Sequence, residues 1–204
     1  MFGLLGKKKA QAGAPRTADP RQEALDRIIP VVKAVEHESS DATPIDLPAE
    51  HSPISRPLAA DLIVLYAEDF PDRFEFVSKH RMEQLELTLD ELHRLALRNL
   101  PNRLPEIQLH GDSPCHMITC GGNFEATLLL HDGLWDAMAE NLPGQPMAVV
   151  PARDLLFVTG SGWEGAHQFL SELANKELED KRYALSKQVF TRKGGTWVAV
   201  GLAS

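Results

Sequence analysis

Four polar side chains at the ends of apolar segments could do acid–base or binding chemistry. They are Asn123, Glu125, Arg153 and Asp154. A carboxylate beside an arginine can transfer protons or hold a polar ligand. Each of the four also has a structural explanation: a helix cap for Asn123, a negative charge in a first helical turn for Glu125, and a tight corner for the other two. Both interpretations stay open here, and any pocket is predicted to include Glu125 and Arg153.

Histidines and cysteines suggest a zinc site made by His110, Cys115, His116 and Cys120. The segment CHMITC is predicted to be a strand, however, and the odd separation of its two cysteines then directs them to opposite faces. At about 3.3 Å per residue, the two thiols would lie roughly 17 Å apart. We therefore predict no metal site and no cofactor, and we interpret both cysteines as small buried side chains.

Sequence motifs of common catalytic sites are absent. The chain has no nucleophile elbow, no phosphate-binding glycine loop and no zincin helix. The segment Gly160-Ser161-Gly162 lacks the flanking residues of a nucleophile elbow and is predicted to be a turn. We therefore predict no catalytic residues, and the alternative is an enzyme of unknown class that uses a polar site around Glu125, Arg153 and Asp154.

Composition limits the compartment and the partners. The 204 residues are 43% hydrophobic and 25% charged, which is typical of a globular chain. The formal net charge of −8 argues against nucleic acid, which requires a basic face. Two cysteines are too few for a disulfide framework and favour the reducing cytoplasm. No apolar run reaches the length of a membrane span, so we expect no stable membrane insertion.

The elements that must position the four polar residues are strand pairs separated by helices. Apolar alternation, turn residues and helical periodicity predict this order. The strand pairs are DLIVLYA with RFEFVS, LPEIQLH with CHMITC, PMAVV with LLFVT, and QVFTRK with TWVAV. The helices between them include one capped by the Thr88–Glu91 box, one that starts at Asn123, and one over Glu164–Asp180 that is buried through Phe169, Leu170 and Leu173. Tight corners imply antiparallel pairing, so the predicted fold is an α+β antiparallel sheet with helices packed against it.

Three regions are predicted along the chain. Residues 1–20 are expected to be a disordered tail, with a membrane or docking peg at Lys7–Lys9 as the alternative. The start MFGLLGKKK does not have the order of a signal peptide. Residues 21–60 are predicted to be a helical arm over Arg21–Glu36, interrupted at Pro30, followed by a proline-rich linker. Residues 61–204 form the predicted α+β domain.

Several segments of the predicted domain resemble a known family. They are DLIVLYAED, ELHRLALRNL, GGNFEATLLL, Trp135, VPARDLLFV and ALSKQVF. Together they cover roughly Asp61 to Trp197, and the combination is similar to the YtpQ-like family, bacterial proteins classed as a domain of unknown function. Thr127 stands where the family pattern has serine. The resemblance supports the fold and implies no activity.

The missing catalytic motifs and the acidic charge together favour a non-catalytic interaction or regulatory protein of the bacterial cytoplasm. We expect a protein partner and no nucleic acid. An immunity-type inhibitor of a basic toxin is one version of this hypothesis.

Overall fold

The computed structural model describes residues 19–35, 48–178 and 183–201. Five α-helices and ten strands, together with two short 3₁₀ helices, follow one another along these residues. In chain order they are α1 (Pro20–Arg27), β1 (Ile28–Ala34), β2 (Ser55–Ala59), β3 (Leu62–Asp69), β4 (Phe74–Phe76), α2 (Lys79–Gln84), α3 (Leu89–Asn99), the first 3₁₀ helix (Leu100–Asn102), β5 (Gln108–His110), β6 (His116–Thr119), the second 3₁₀ helix (Ala126–Leu130), α4 (Asp132–Ala139), β7 (Pro146–Ala152), β8 (Leu155–Gly160), α5 (Ala166–Leu178), β9 (Phe190–Lys193) and β10 (Thr196–Ala199).

The strands form two antiparallel sheets. The smaller sheet has the order β1-β3-β2, and β4 also pairs with β3. The larger sheet has the order β10-β9-β7-β8-β6-β5. The predicted α+β class with antiparallel sheets and packed helices is therefore confirmed.

The predicted helix over Arg21–Glu36 is wrong beyond its first two turns. Helix α1 ends at Arg27, and Ile28–Ala34 is a strand that pairs with β3 along seven residues. The segment IIPVVKA is rich in β-branched side chains, which favour a pleated strand. Pro30 is tolerated because β1 is an edge strand, and the outer side of such a strand needs no N–H group for pairing.

Strands β1 and β2 precede Asp61, where the predicted domain begins. Both pair with β3, so the smaller sheet includes residues that the sequence analysis assigned to the arm and the linker. Pro57, interpreted as part of the linker, lies within β2. The predicted disordered tail lies almost entirely outside the described residues, as do Lys7–Lys9 and residues 36–47 of the linker.

The cap of α3 and the turn between β9 and β10 agree with the sequence. Thr88 and Glu91 form the predicted capping box at the start of α3. Gly194 and Gly195 join β9 to β10, and both have the positive φ that a two-residue hairpin turn of type I′ requires. None of the helices in the described ranges combines the length and the apolar character needed to cross a membrane.

Three groups of buried side chains hold the layers together. One lies between the two sheets and the segment that contains the second 3₁₀ helix and α4. Another packs α1 and α3 against the smaller sheet, and a third packs α5 against the larger sheet. Helix α5 begins at Ala166, two residues later than predicted, and buries Ala166, Leu170 and Ala174 against the larger sheet. Of the residues predicted to be buried in this helix, Leu170 is buried, Leu173 is partly buried and Phe169 is 41% exposed.

Candidate functional site

The segment that leads from β6 to α4 does not form the single long helix that was predicted from Asn123. A turn over residues 121–125 is followed by the second 3₁₀ helix, and α4 begins only after His131. The N-cap of α4 is His131, whose Nδ1 accepts the N–H of Leu134 at 3.0 Å. Asn123 is therefore not a helix cap, and its side chain is exposed.

The buried carboxylate of Glu125 determines the course of this turn. Its side chain folds back on the preceding residues instead of standing in a first helical turn. One carboxylate oxygen accepts the backbone N–H groups of Cys120 at 2.7 Å and Gly122 at 2.8 Å, and the other accepts that of Phe124 at 3.1 Å. The residue is only 1% exposed. Three charge-assisted hydrogen bonds compensate the cost of burying this charge.

Two indole rings fix the second 3₁₀ helix from the other side. The Nε1–H of Trp135 donates to the carbonyl of Leu128 at 2.7 Å, and that of Trp197 donates to Leu129 at 2.8 Å. The two rings meet edge to face with their centroids 4.7 Å apart. These two indole hydrogen bonds, which we call the clamp, hold residues 121–130 in place together with the Glu125 turn.

Arg153 lies at the corner between β7 and β8, directly beside this segment. Its carbonyl accepts the N–H of Ala126 at 3.1 Å, and its own N–H donates to the carbonyl of Tyr183 at 3.0 Å. The guanidinium lies 3.9 Å from the centre of the Tyr183 ring, a cation–π stack that fixes its plane. The Nε atom is shielded from solvent and has no hydrogen-bond partner among the described residues, as is also the case for the Nε atoms of Arg27 and Arg192.

Arg153 and Asn123 line one cleft of about 370 Å³, which we call the Arg153 cleft. Its opposite wall is the β3–β4 turn. The cleft is lined by residues 69–74, Asn123, Phe124 and Arg153. Two of its aromatic rings, Phe74 and Phe124, pack edge to face with centroids 6.0 Å apart. The structure thus brings Asn123 and Arg153 together, and it places Glu125 behind them as the residue that holds the turn.

Asp154 follows Arg153 in the same corner and is partly exposed. Among the residues that the structure describes, its side chain makes no hydrogen bond or ion pair, and it is not part of the cleft wall. The supposed carboxylate–arginine pair is therefore formed neither by Asp154, which is absent from the wall, nor by Glu125, whose oxygens are occupied by backbone N–H groups.

Charges on the opposite wall are distributed unevenly. Arg73 is paired with Asp72 at 3.0 Å and Glu75 at 2.6 Å, so its charge is compensated locally. Partial burial raises the pKa of the Asp69 carboxyl, while nearby Arg103 acts in the opposite direction. Within the cleft, Arg153 is thus the cation whose guanidinium has no acidic partner among the described residues.

The histidine and cysteine side chains do not converge. His110 bonds Thr119 at 2.8 Å, and the Cys120 thiol points to the carbonyl of Pro105. No group of three or more potential metal ligands is found within residues 19–35, 48–178 and 183–201. Burial raises the pKa of the Cys115 thiol, and burial together with the Glu125 charge raises that of Cys120 to about 11. Neither thiol therefore has the lowered pKa of a reactive nucleophile.

Two parts of the site were not predicted from the sequence: the wall formed by the β3–β4 turn, and Tyr183. The segment DFPDR, residues 69–73, has the proline and aspartates that are typical of a turn, so its residue types indicate no further role. The stack of Arg153 on Tyr183 joins residues 30 positions apart through an isolated bridge between Ala152 and Ala184. No local periodicity signals such a pairing.

Comparison with known proteins gives a consistent family context. A protein of Listeria monocytogenes serotype 4a is 27% identical over 135 residues, which cover 64% of this chain and 48% of that protein. One from Bacillus mycoides is 18% identical over 179 residues, covering 85% of this chain and 63% of the relative. All are UPF0354 proteins. The predicted resemblance to the YtpQ-like family is thereby confirmed.

The UPF0354 relatives are bacterial, and their name assigns no activity. This chain spans about half of the length of the Listeria relatives that it matches, 48% in the case of serotype 4a. No family model matches the chain. No solved structure matches it either.

Proposed function

We propose that this protein is a non-catalytic interaction or regulatory module that binds a protein partner through the Arg153 cleft. The observation that carries the proposal is the guanidinium of Arg153, which is stacked on Tyr183 and lines the cleft without an acidic partner among the described residues. A guanidinium held in this way can donate hydrogen bonds to an acceptor on a partner.

The surroundings of Arg153 support binding over catalysis. The Glu125 carboxylate, the strongest sequence candidate for an acid or base, is enclosed and already accepts three N–H groups. In this proposal Glu125 is a positioning residue, because it holds the turn that carries Asn123 and Phe124 into the cleft. The raised pKa values of Cys115 and Cys120 support the same choice.

One observation favours the enzyme alternative. The Asp69 carboxyl lines the same cleft as Arg153, and partial burial raises its pKa, as in many general acids. That alternative requires turnover in a broad hydrolase or transferase screen that is lost in Asp69→Asn while the fold is retained. The immunity-type version of the main proposal adds a basic toxin as the partner, and the net charge of −8 is the observation in its favour.

Partner capture tests the proposal. The 204-residue chain is immobilised and exposed to a lysate of its own bacterium. It is expected to retain a protein whose recovery falls at least about tenfold when the bait carries Arg153→Gln, since charged hydrogen bonds contribute about 1.5–3 kcal/mol. Arg98→Gln is the matched control, because Arg98 is an exposed arginine on α3 outside the cleft.

Equal retention by the wild type and Arg153→Gln would remove the cleft from the interaction. If Arg98→Gln reduced recovery of the partner as much as Arg153→Gln, capture would depend only on the total positive charge of the protein. Either result contradicts the proposal.

A further inference from the structure

We infer that the Arg153 cleft recognises a carboxylate of a partner peptide, flanked by an apolar side chain. This inference rests on the proposed function and specifies the ligand of the same site. It is drawn from the state of the guanidinium, the balance of charge around it and the aromatic wall that faces it.

The guanidinium is prepared to receive an acceptor. Stacking on Tyr183 at 3.9 Å fixes its plane, and Nε is already removed from solvent. A planar guanidinium with open donors matches a planar carboxylate and can bond both of its oxygens. Because the plane is fixed, an incoming carboxylate meets a smaller ordering cost.

The surrounding charges favour a single negative charge over a phosphate. Asp69 and Asp72 line the same cleft as Arg153. Arg73, the other arginine in the wall, is compensated by Asp72 and Glu75. A phosphate group carries up to two negative charges near neutral pH, more than the single uncompensated arginine of this wall can balance. A carboxylate carries one charge, which Arg153 can balance.

The rest of the wall provides apolar contact of limited size. Phe70, Phe74 and Phe124 contribute aromatic rings, and the volume of about 370 Å³ lies at the small end of ligand pockets. This space suits one or two side chains and excludes a folded element. Asn123 is exposed at the rim, where its amide can bond a peptide main chain. An aspartate or glutamate next to a leucine or phenylalanine fits all of these features.

A titration of the 204-residue chain with short peptides tests this inference. The probes are acetyl-Leu-Asp-Phe-amide and the two peptides in which asparagine or phosphoserine replaces the aspartate. Binding is monitored by NMR through the arginine Nε–H and backbone N–H signals of the protein. For the wild type we expect the aspartate peptide to bind about 10- to 100-fold more tightly than the asparagine peptide. The Arg153 Nε–H signal is expected to shift only with the carboxylate.

Two variants complete the test. Arg153→Gln is expected to reduce the preference for the aspartate peptide to less than about threefold, while Arg98→Gln retains it. This non-additive loss is the signature of a direct contact between the guanidinium and the carboxylate. Equal binding of the aspartate and asparagine peptides by the wild type, or binding of none of the three, would overturn the inference. Tighter binding of the phosphoserine peptide would overturn it in favour of a phosphate ligand.

The two proposals fail separately. If capture of the partner depends on Arg153 while the peptides show no carboxylate preference, the ligand class is wrong and the interaction module stands. If Arg153→Gln leaves both capture and peptide binding unchanged, the site itself is wrong.

Discussion

Replacing Glu125 with glutamine is expected to lower the free energy of unfolding by about 2–3 kcal/mol. The carboxylate is 1% exposed and accepts three backbone N–H groups, from Cys120, Gly122 and Phe124. A glutamine side chain has only one oxygen, so its NH₂ group must face at least one of these N–H donors. Chemical denaturation at neutral pH measures the loss.

Glu83→Gln is the matched control, since Glu83 is exposed on α2 and its change should stay within about 0.5 kcal/mol. A Glu125→Gln protein as stable as the wild type would show that the carboxylate does not hold the turn. In that case Glu125 would return as a candidate for direct contact with a ligand.

Replacing Trp135 with alanine is expected to cost about 3–5 kcal/mol, the largest effect that we predict. Trp135 is fully buried, packs against Trp197 with centroids 4.7 Å apart, and bonds the carbonyl of Leu128. Trp135→Phe retains most of the apolar volume and loses the N–H, so it should cost about 1–3 kcal/mol. Denaturant midpoints of both variants check the order.

Trp163→Phe serves as the control, because Trp163 is only partly buried beside the exposed Phe169. Its cost should fall below that of Trp135→Phe. If Trp135→Phe were as stable as the wild type, the indole hydrogen bond would not contribute to the clamp. The position of the second 3₁₀ helix would then depend on packing alone.

Local signals predicted most of the fold. Turn residues and alternating apolar residues indicated all four predicted strand pairs, which are β3–β4, β5–β6, β7–β8 and β9–β10. The segment Ile28–Ala34 was misassigned because its apolar residues satisfy a helical spacing as well as a buried strand. Its pairing partners in β3 lie 28 to 40 residues later in the chain, and pairing at that distance decides the outcome.

The candidate site was predictable only in part. Asn123 and Arg153 were selected because they lie at the ends of apolar elements, and both line the cleft. The role of Glu125 was not predictable, because a side chain that turns back to three preceding N–H groups leaves no periodic pattern. Asp69 lines the same cleft as Arg153, and Tyr183 stacks on the guanidinium. Both are brought there by distant parts of the chain, which a single sequence does not encode in its spacing.

The free energy of unfolding of Arg153→Gln, measured without any partner, tests the central claim most directly. If Arg153 is retained for binding, its removal should change stability by no more than about 1 kcal/mol, because the cation–π stack contributes about 0.5–1 kcal/mol and the unpartnered Nε opposes it. A loss of about 3 kcal/mol or more would mean that the guanidinium is part of a stabilising network. That result would contradict the assignment of Arg153 as a binding residue.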